Sequence, residues 1–163
     1  RVGKTGILDP KRMKPSLRDR SNDEQSVQCE MGVKAITQAL ENAGKTAAEV
    51  DAVIVACSNM QRGYPAMAIE IQDALGIAGF GYDMNVACSA ATFGIQAAYN
   101  AVSSGSAGCV VVVGPEICSG HLSWEDRECH FIFGDACTAV VVERQSTSQS
   151  SDNFEIIGTK LDL

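Results

Sequence analysis

The chain has 163 residues, of which 45% are hydrophobic and 20% are charged, a composition that indicates one globular domain and excludes disorder. Its longest strongly apolar run, residues 109–113, is far too short to cross a bilayer, which excludes a membrane-spanning protein. The formal net charge of −7 argues against nucleic acid as the main partner, because binding a duplex requires many contacts to phosphate groups.

The charge is unevenly distributed. Residues 1–20 are basic, whereas the remainder of the chain is strongly acidic. A local basic segment suits a phosphorylated small ligand or an acidic protein. The alternative interpretation is a solvated, flexible loop.

Hydrophobic periodicity and turn residues predict an alternation of helices and strands. The β-branched runs at 52–57 and 109–114 are typical of strands that are covered on both faces of a sheet. Because strand, helix and strand follow one another, we expect right-handed crossovers and an α/β fold with a mainly parallel mixed sheet. In chain order the predicted elements are a short strand near 6–8, a helix over 24–43, a strand over 52–57, a helix over 66–75, a strand over 83–87, a central helix through 90–101, and strands over 109–114, 136–143 and 154–163.

The first long helix is predicted to be capped by Ser21, Asn22 or Asp23 and to end at Gly44. Its buried side is predicted from small and apolar residues at helical spacing. These residues are Val27, Met31, Ala35, Ala39, Leu40 and Ala43.

Cys88 is the candidate nucleophile. It lies between a short apolar run and the central helix, whose small residues indicate a helix buried between two layers. At a helix N-terminus, unpaired backbone N–H groups and the helix dipole favour the thiolate, which is the reactive form of cysteine. The alternative is a buried cysteine that packs as a small hydrophobic residue, as most free cysteines do.

The seven cysteines predict neither a disulfide framework nor a metal site. Their number is odd, they form no Cys-x-x-Cys pair, and no secretory segment is visible, so reduced thiols in the cytoplasm are expected. Cys118 and His121 have metal-ligand spacing, but a second spaced pair is lacking, and we expect no metal. The Gly-rich segment 76–81 precedes a predicted strand instead of following one, so a dinucleotide site is rejected.

Several segments together resemble β-ketoacyl-acyl carrier protein synthase III, the condensing enzyme that initiates type II fatty acid synthesis. The resemblance is collinear from about residue 4 to residue 161. Its motifs are KTGI at 4–7, YPAMAIEIQDALGI at 64–77, NVACSAA at 85–91, VGPE at 113–116 and FGDA at 133–136. It implies that residues 1–163 are the N-terminal half of a thiolase-like fold with a buried central helix.

The resemblance also implies an activity. The family cysteine matches Cys88; it accepts an acyl group from acyl-CoA and passes it to the carbanion formed by decarboxylation of malonyl-acyl carrier protein. A thiolate is a good nucleophile at neutral pH, and the thioester it forms stays activated for carbon–carbon bond formation. The implied partners are acyl-CoA, acyl carrier protein and a second subunit in a homodimer, with no cofactor.

Further site residues are carried over by position. Arg127 matches an arginine that packs by the CoA adenine, and Lys4 stands where an arginine contacts the CoA phosphates; each is otherwise a surface charge. Tyr64 matches an aromatic residue that crosses a dimer interface to close the partner's acyl pocket, and is otherwise a half-exposed loop aromatic. Phe133 lines the acyl tunnel or belongs to the core, and we favour the core.

Two departures from the family leave alternatives open. The family's catalytic histidine and asparagine belong to the C-terminal half of the fold, and neither His121 nor His130 matches them; we expect that half as a separate or additional segment. The loop 59–64 differs from that of short-chain initiators, so primer length is open.

The alternatives are a hydroxymethylglutaryl-CoA synthase, a secondary-metabolite or signal synthase, and a catalytically silent acyl-binding or dimerisation fragment. A thiol redox protein is disfavoured, because no Cys-x-x-Cys pair is present.

Overall fold

The computed structural model describes residues 8–9, 11–12, 14–15, 20–21 and 23–160. A short hairpin, which was not predicted, precedes an alternation of helices and strands, which was. Of the strand predicted near 6–8, residues 6 and 7 lie outside the described residues. The elements are β1 (Leu8–Asp9), β2 (Lys14–Pro15), α1 (Val27–Ala43), β3 (Ala52–Ala56), α2 (Met67–Leu75), β4 (Phe80–Met84), α3 (Ala90–Ser104), β5 (Cys109–Ile117) and β6 (Asp135–Glu143).

The main sheet has the strand order β4-β3-β5-β6. β3 is parallel to both β4 and β5, whereas β6 runs antiparallel to β5 over its full length. Every residue of β3 is buried, because its Ala, Val and Ile side chains pack on both faces of the sheet. The prediction of a mainly parallel mixed sheet is therefore confirmed.

Helices cover both faces of this sheet. Side chains of β3 and β5 alternate between the faces, so that Val53 and Val111 pack with α1 and α2, while Ile54 and Val112 pack with α3. A Cβ atom on Gly94 of α3 would lie only 2.8 Å from Val112 Cγ1, which shows how closely this helix approaches the sheet. The prediction of a central helix packed on the sheet is confirmed for this face. The opposite face of α3 is exposed in this chain.

α1 begins later than predicted and buries a different face. Its N-cap is Ser26, whose Oγ accepts a hydrogen bond from the Cys29 N–H, so the cap is not one of the three predicted residues. Gly44 ends the helix in the left-handed conformation, as predicted. The buried residues are Gln28, Cys29, Gly32, Ile36 and Leu40, so of the predicted set only Leu40 is fully buried. The predicted buried side contained no glutamine, whereas Gln28 is buried in the structure.

Two strand predictions are wrong. β4 covers Phe80–Met84 instead of 83–87. Its pairing with β3 begins where Phe80 lies opposite Ala52 and ends where Met84 lies opposite Ala56. Residues 154–160 form no strand, although their composition predicts one; Phe154 and Ile157 are more than 90% exposed. Composition alone does not supply the neighbouring strand that a β-strand requires. In the described part of the chain, no helix is both long and apolar enough to span a membrane.

Candidate active site

The parallel strands β4, β3 and β5 end at the same edge of the sheet, and cysteines follow each of them. Cys57 comes directly after β3, Cys88 lies four residues after β4, and Cys118 follows β5. The carboxyl edge of a parallel sheet is where α/β proteins usually bind ligands. Reactive groups are therefore expected at this edge.

Cys88 lies in a single turn of 3-10 helix, Ala87–Ser89, which leads directly into α3. Ala87 has a φ of +47°, a left-handed conformation that is unusual for a residue with a Cβ atom. The Asn85 side chain supports this conformation by accepting a hydrogen bond from the Ala87 N–H at 3.3 Å. Cys88 therefore lies at the N-terminus of α3, as predicted. Its role as nucleophile stays a prediction.

Cys88 is also the one exposed cysteine of the seven, since the other six are buried or half-buried, and all seven thiols are free. Burial raises the pKa of Cys29 and Cys109 to about 11 and that of Cys57 and Cys137 to about 12. A thiol with such a pKa is protonated at neutral pH and is a poor nucleophile. Within this chain Cys88 is exposed, so it does not pack here as a buried hydrophobic residue.

Cys118 lies near the candidate nucleophile. Burial raises its pKa first, and the neighbouring Glu116 and Asp135 carboxylates and the Cys88 thiol raise it further. One Glu116 oxygen accepts a hydrogen bond from the Ser58 N–H at 3.0 Å, which connects the ends of β5 and β3. Cys88, Cys118 and Glu116 are thus brought together at the edge of the sheet.

Beneath this edge lies a buried polar residue that the sequence analysis missed. Gln28 is fully buried, and its Nε2 donates to the Asn59 carbonyl at 2.7 Å and to the Pro115 carbonyl at 2.8 Å. The same nitrogen lies 3.3 Å from the Cys57 sulfur. A glutamine on an amphipathic helix gives no sequence signal of this kind, because its partners come from segments about thirty and ninety positions away.

The connection between β5 and β6 is fixed by hydrogen bonds at its base. Asp135 accepts from the N–H and the Oγ of Ser119 at 2.8 and 2.6 Å, and the buried Trp124 donates from its indole nitrogen to the Ser119 carbonyl at 2.9 Å. His130 contacts the Asp126 carbonyl through Nδ1 at 2.8 Å. Both histidines of the chain belong to this connection, as predicted, and His121 is exposed.

The other predicted site residues lie at the surface. Arg127 is exposed, and Tyr64 is 90% exposed, so the interpretation of a half-exposed ring is wrong. Phe133 is 58% exposed, which overturns our preference for a core position; the acyl-tunnel role stays a prediction. Lys4 lies outside the described residues. Within the described residues no three His, Cys, Asp or Glu side chains are grouped so that they could hold a metal ion.

Comparison with known proteins gives consistent results. Residues 82–162 match the family model described as 3-oxoacyl-[acyl-carrier-protein] synthase III; 3-oxoacyl and β-ketoacyl are two names for one chemical group. The chain is 61% identical, over 98% of its length, to a β-ketodecanoyl-[acyl-carrier-protein] synthase of Pseudomonas aeruginosa. It is 39% identical, over 80% of its length, to β-ketoacyl-[acyl-carrier-protein] synthase III of Acidiphilium cryptum.

Solved structures agree with these relatives. The crystal structure of 3-oxoacyl-[acyl-carrier-protein] synthase III from Aquifex aeolicus is 31% identical, with a TM-score of 0.69 over 76% of this chain and 40% of that one. The priming β-ketosynthase of the R1128 polyketide pathway is 34% identical, with a TM-score of 0.69 over 76% of this chain and 36% of that one.

The chain spans less than half the length of the curated relatives it matches, 46% of the Pseudomonas aeruginosa protein and 40% of the Acidiphilium cryptum one. Sequence, fold and the position of Cys88 nevertheless point to one group of proteins, and the structural neighbours have the thiolase-like architecture. This chain belongs to the β-ketoacyl-[acyl-carrier-protein] synthase III family.

Proposed function

We propose that this chain is the N-terminal half of an acyltransferase that carries out a decarboxylative Claisen condensation through an acyl-Cys88 intermediate. Its substrates are an acyl-CoA primer and malonyl-acyl carrier protein. The observation that carries the proposal is the exposed thiol of Cys88, held on a strained turn at the start of α3 in a chain of this family.

The first half-reaction loads the enzyme. The Cys88 thiolate attacks the carbonyl carbon of the acyl-CoA thioester, the bond between that carbon and the CoA sulfur breaks, and CoA leaves as a thiolate. Negative charge develops on the carbonyl oxygen on the way, and backbone N–H groups near the start of α3 are available to stabilise it. A donor of this kind contributes about 3 kcal/mol in other enzymes.

The second half-reaction forms the product. Malonyl-acyl carrier protein loses CO₂, and the electron pair of the broken bond stays on the adjacent carbon as a carbanion. This carbanion attacks the acyl-cysteine carbonyl, and the Cys88 thiolate leaves with a β-ketoacyl-acyl carrier protein as product. The reaction needs no metal or redox cofactor, since cysteine itself is the nucleophile. The family's histidine and asparagine, which promote decarboxylation, would come from the C-terminal half.

The relative that is 61% identical supports a proposal for the primer length. Its name gives a β-ketodecanoyl product of ten carbons. Decarboxylative condensation with malonyl adds two carbons, so the corresponding primer has eight. We propose an octanoyl primer for this chain as well.

The remaining assignments complete the proposal. Arg127, exposed between β5 and β6, and Lys4 would contact the adenine and phosphate groups of CoA, and Phe133 would line the acyl tunnel. Tyr64 would close the acyl pocket of the partner subunit in a homodimer; an exposed aromatic ring of this kind suits a protein contact. Seven free thiols are consistent with a cytoplasmic protein.

The proposal is tested by intact-mass measurement of the natural full-length protein after brief incubation with acyl-CoAs of two to twelve carbons. We expect one acyl adduct, which forms in the highest yield with octanoyl-CoA and is absent from the Cys88→Ala variant. Release of CO₂ from malonyl-acyl carrier protein then separates this activity from that of other enzymes of the superfamily. The absence of any adduct from protein that contains both halves would overturn the proposal and favour a silent binding module.

A further inference from the structure

A loop held by buried hydrogen bonds joins β3 to α2 and presents an exposed aromatic ring. We refer to residues 58–65 as the Tyr64 loop. Residues 58–62 are half-buried, whereas Gly63, Tyr64 and Pro65 are exposed. The loop therefore has an anchored base and a projecting tip, and this difference requires an explanation.

Gln28 of α1 anchors the first part of the base. An amide that is fully buried is costly unless its polar atoms are paired. Its two amide hydrogens are directed to the Asn59 and Pro115 carbonyls, and its Oε1 accepts from the Gln61 N–H. The Gln61 side chain in turn accepts from the Val27 N–H at 3.0 Å. The start of the loop is thus fixed to α1 and to β5.

Arg62 anchors the second part, two residues before the ring. Its Nη2 donates to the Ser21 carbonyl at 2.9 Å and to the Glu24 carbonyl, and its Nη1 lies 3.5 Å from Glu70 Oε1 on α2. The Arg62 and Glu70 side chains are only 12% and 13% exposed, so this ion pair is largely removed from water. A guanidinium donates in several directions at once, which a lysine ammonium on a flexible stem does less well.

Glu70 links this anchor to the start of α1. Ser26, the N-cap of α1, donates two hydrogen bonds to the Glu70 carboxylate. The Ser26 N–H donates to Oε1 at 2.5 Å, and the Ser26 hydroxyl donates to Oε2 at 2.9 Å. A charged group that accepts several hydrogen bonds in a semi-buried site is held in one position. Arg62 is therefore fixed simultaneously to the segment before α1 and, through Glu70, to both helices.

We propose that Arg62 is a positioning residue that fixes Tyr64 and thereby limits the length of the acyl primer. This inference rests on the proposed function, in which Tyr64 closes the acyl pocket of the partner subunit. A ring at the tip of an anchored loop forms a wall at a fixed depth, whereas the same ring on a loose loop gives way to a longer chain. Arg62 touches neither the nucleophile nor the reacting carbonyl in this arrangement and acts only through Tyr64.

The test uses the natural full-length protein and four variants, Arg62→Ala, Tyr64→Ala, their combination, and Arg144→Ala as a matched control. Arg144 is an exposed arginine that follows β6 and has no contact with the Tyr64 loop among the contacts described. For each protein, kcat and KM are measured with hexanoyl-, octanoyl-, decanoyl- and dodecanoyl-CoA. Thermal unfolding and the yield of the Cys88 adduct are recorded alongside.

The expected result is a change of chain-length preference. Arg62→Ala lowers the kcat/KM ratio of octanoyl- to dodecanoyl-CoA by about tenfold, a size typical of pocket discrimination between chains, and changes kcat with octanoyl-CoA by less than about threefold. Tyr64→Ala produces the same change, and Arg62→Ala adds nothing to it in the double variant. Arg144→Ala leaves the ratio unaltered.

Other outcomes are equally informative. An unchanged ratio in folded Arg62→Ala, or full additivity with Tyr64→Ala, overturns the inference. If Arg62→Ala does not accumulate as folded protein, Arg62→Lys takes its place, since it keeps the charge beside Glu70 without the fork that reaches both carbonyls, and the same outcomes apply. A wild-type protein that forms no Cys88 adduct refutes the proposed function, whereas an acylating enzyme with an unaltered ratio refutes only the role of Arg62.

Discussion

Cysteine chemistry in this chain is decided by the surroundings of each thiol. Cys57 follows a fully buried strand, lies beside the Pro115 carbonyl and the Gln28 amide, and has its pKa raised to about 12, first by burial. Cys88 lies thirty-one residues further on, exposed at the start of a helix. The same residue type is therefore inert at one position and accessible at the other.

This contrast predicts selective alkylation. At pH 8 a thiol with a pKa of about 12 is ionised in roughly one molecule in 10⁴, because each pH unit below the pKa lowers the thiolate fraction tenfold. We expect limiting iodoacetamide to modify Cys88 before Cys57, as measured by peptide mass spectrometry. In urea the two peptides should react at comparable rates, since the burial of Cys57 is lost. Faster modification of Cys57 in the native protein would contradict this account.

Residue-scale prediction from sequence succeeded where the signal is local. The position of Cys88 follows from an apolar run, a helix of small residues and a family motif, all within residues 83–101. Gln28 and Arg62 were missed because their partners lie far away in sequence, such as the Pro115 carbonyl and Glu70. Phe133 was misjudged for a related reason: an aromatic residue beside a glycine indicates a buried ring only if another element covers it.

At the scale of elements, the helices were predicted better than the strand ends. Gly44 and Gly76 end α1 and α2 in the left-handed conformation that glycine permits, and both ends were predicted. The start of α1 was placed three residues too early, because the Ser26 cap is supported by Glu70 on another helix. Strand bounds depend on pairing, so the register of β4 on β3 had no local sequence signal.

The packing of the helices on the sheet predicts different effects for glycine substitutions in α3 and in α1. In a helix interior, Gly→Ala gains about 1 kcal/mol of helix propensity. A Cβ on Gly94 would lie 2.8 Å from Cγ1 of Val112, a stiff β-branched side chain in β5, and we expect Gly94→Ala to be destabilising by about 1–3 kcal/mol.

Gly32→Ala in α1 is the matched control for this prediction. Its Cβ would meet the terminal Cδ1 of Ile71 at 2.7 Å, and this atom is the far end of a side chain that can change its χ2 rotamer. We expect Gly32→Ala to change the free energy of unfolding by less than about 1 kcal/mol, measured for both variants by urea denaturation. Equal stability of Gly94→Ala and wild type would show that α3 packs less closely than described.

At the scale of the whole molecule, the connection between β5 and β6 presents an apolar surface suited to contact. The outer side of α3 is exposed, and Phe131, Ile132 and Phe133 follow one another along the chain with 68%, 58% and 58% of their surfaces accessible. Contiguous apolar surface of this kind marks contact sites in soluble proteins.

The 163-residue chain studied alone should therefore self-associate. Apolar contact contributes about 25 cal/mol per Å² of buried apolar surface, so three large side chains in one patch supply an appreciable driving force. We expect the apparent mass in light scattering to rise with protein concentration and to fall toward the monomer value in the variant Phe131→Ser/Phe133→Ser. Phe154→Ser, which changes an equally apolar and 96% exposed ring outside residues 131–133, is the control and should leave association unaltered. A wild-type chain that stays monomeric at high concentration, or equal effects of the two sets of substitutions, would refute the assignment of this face as a contact surface.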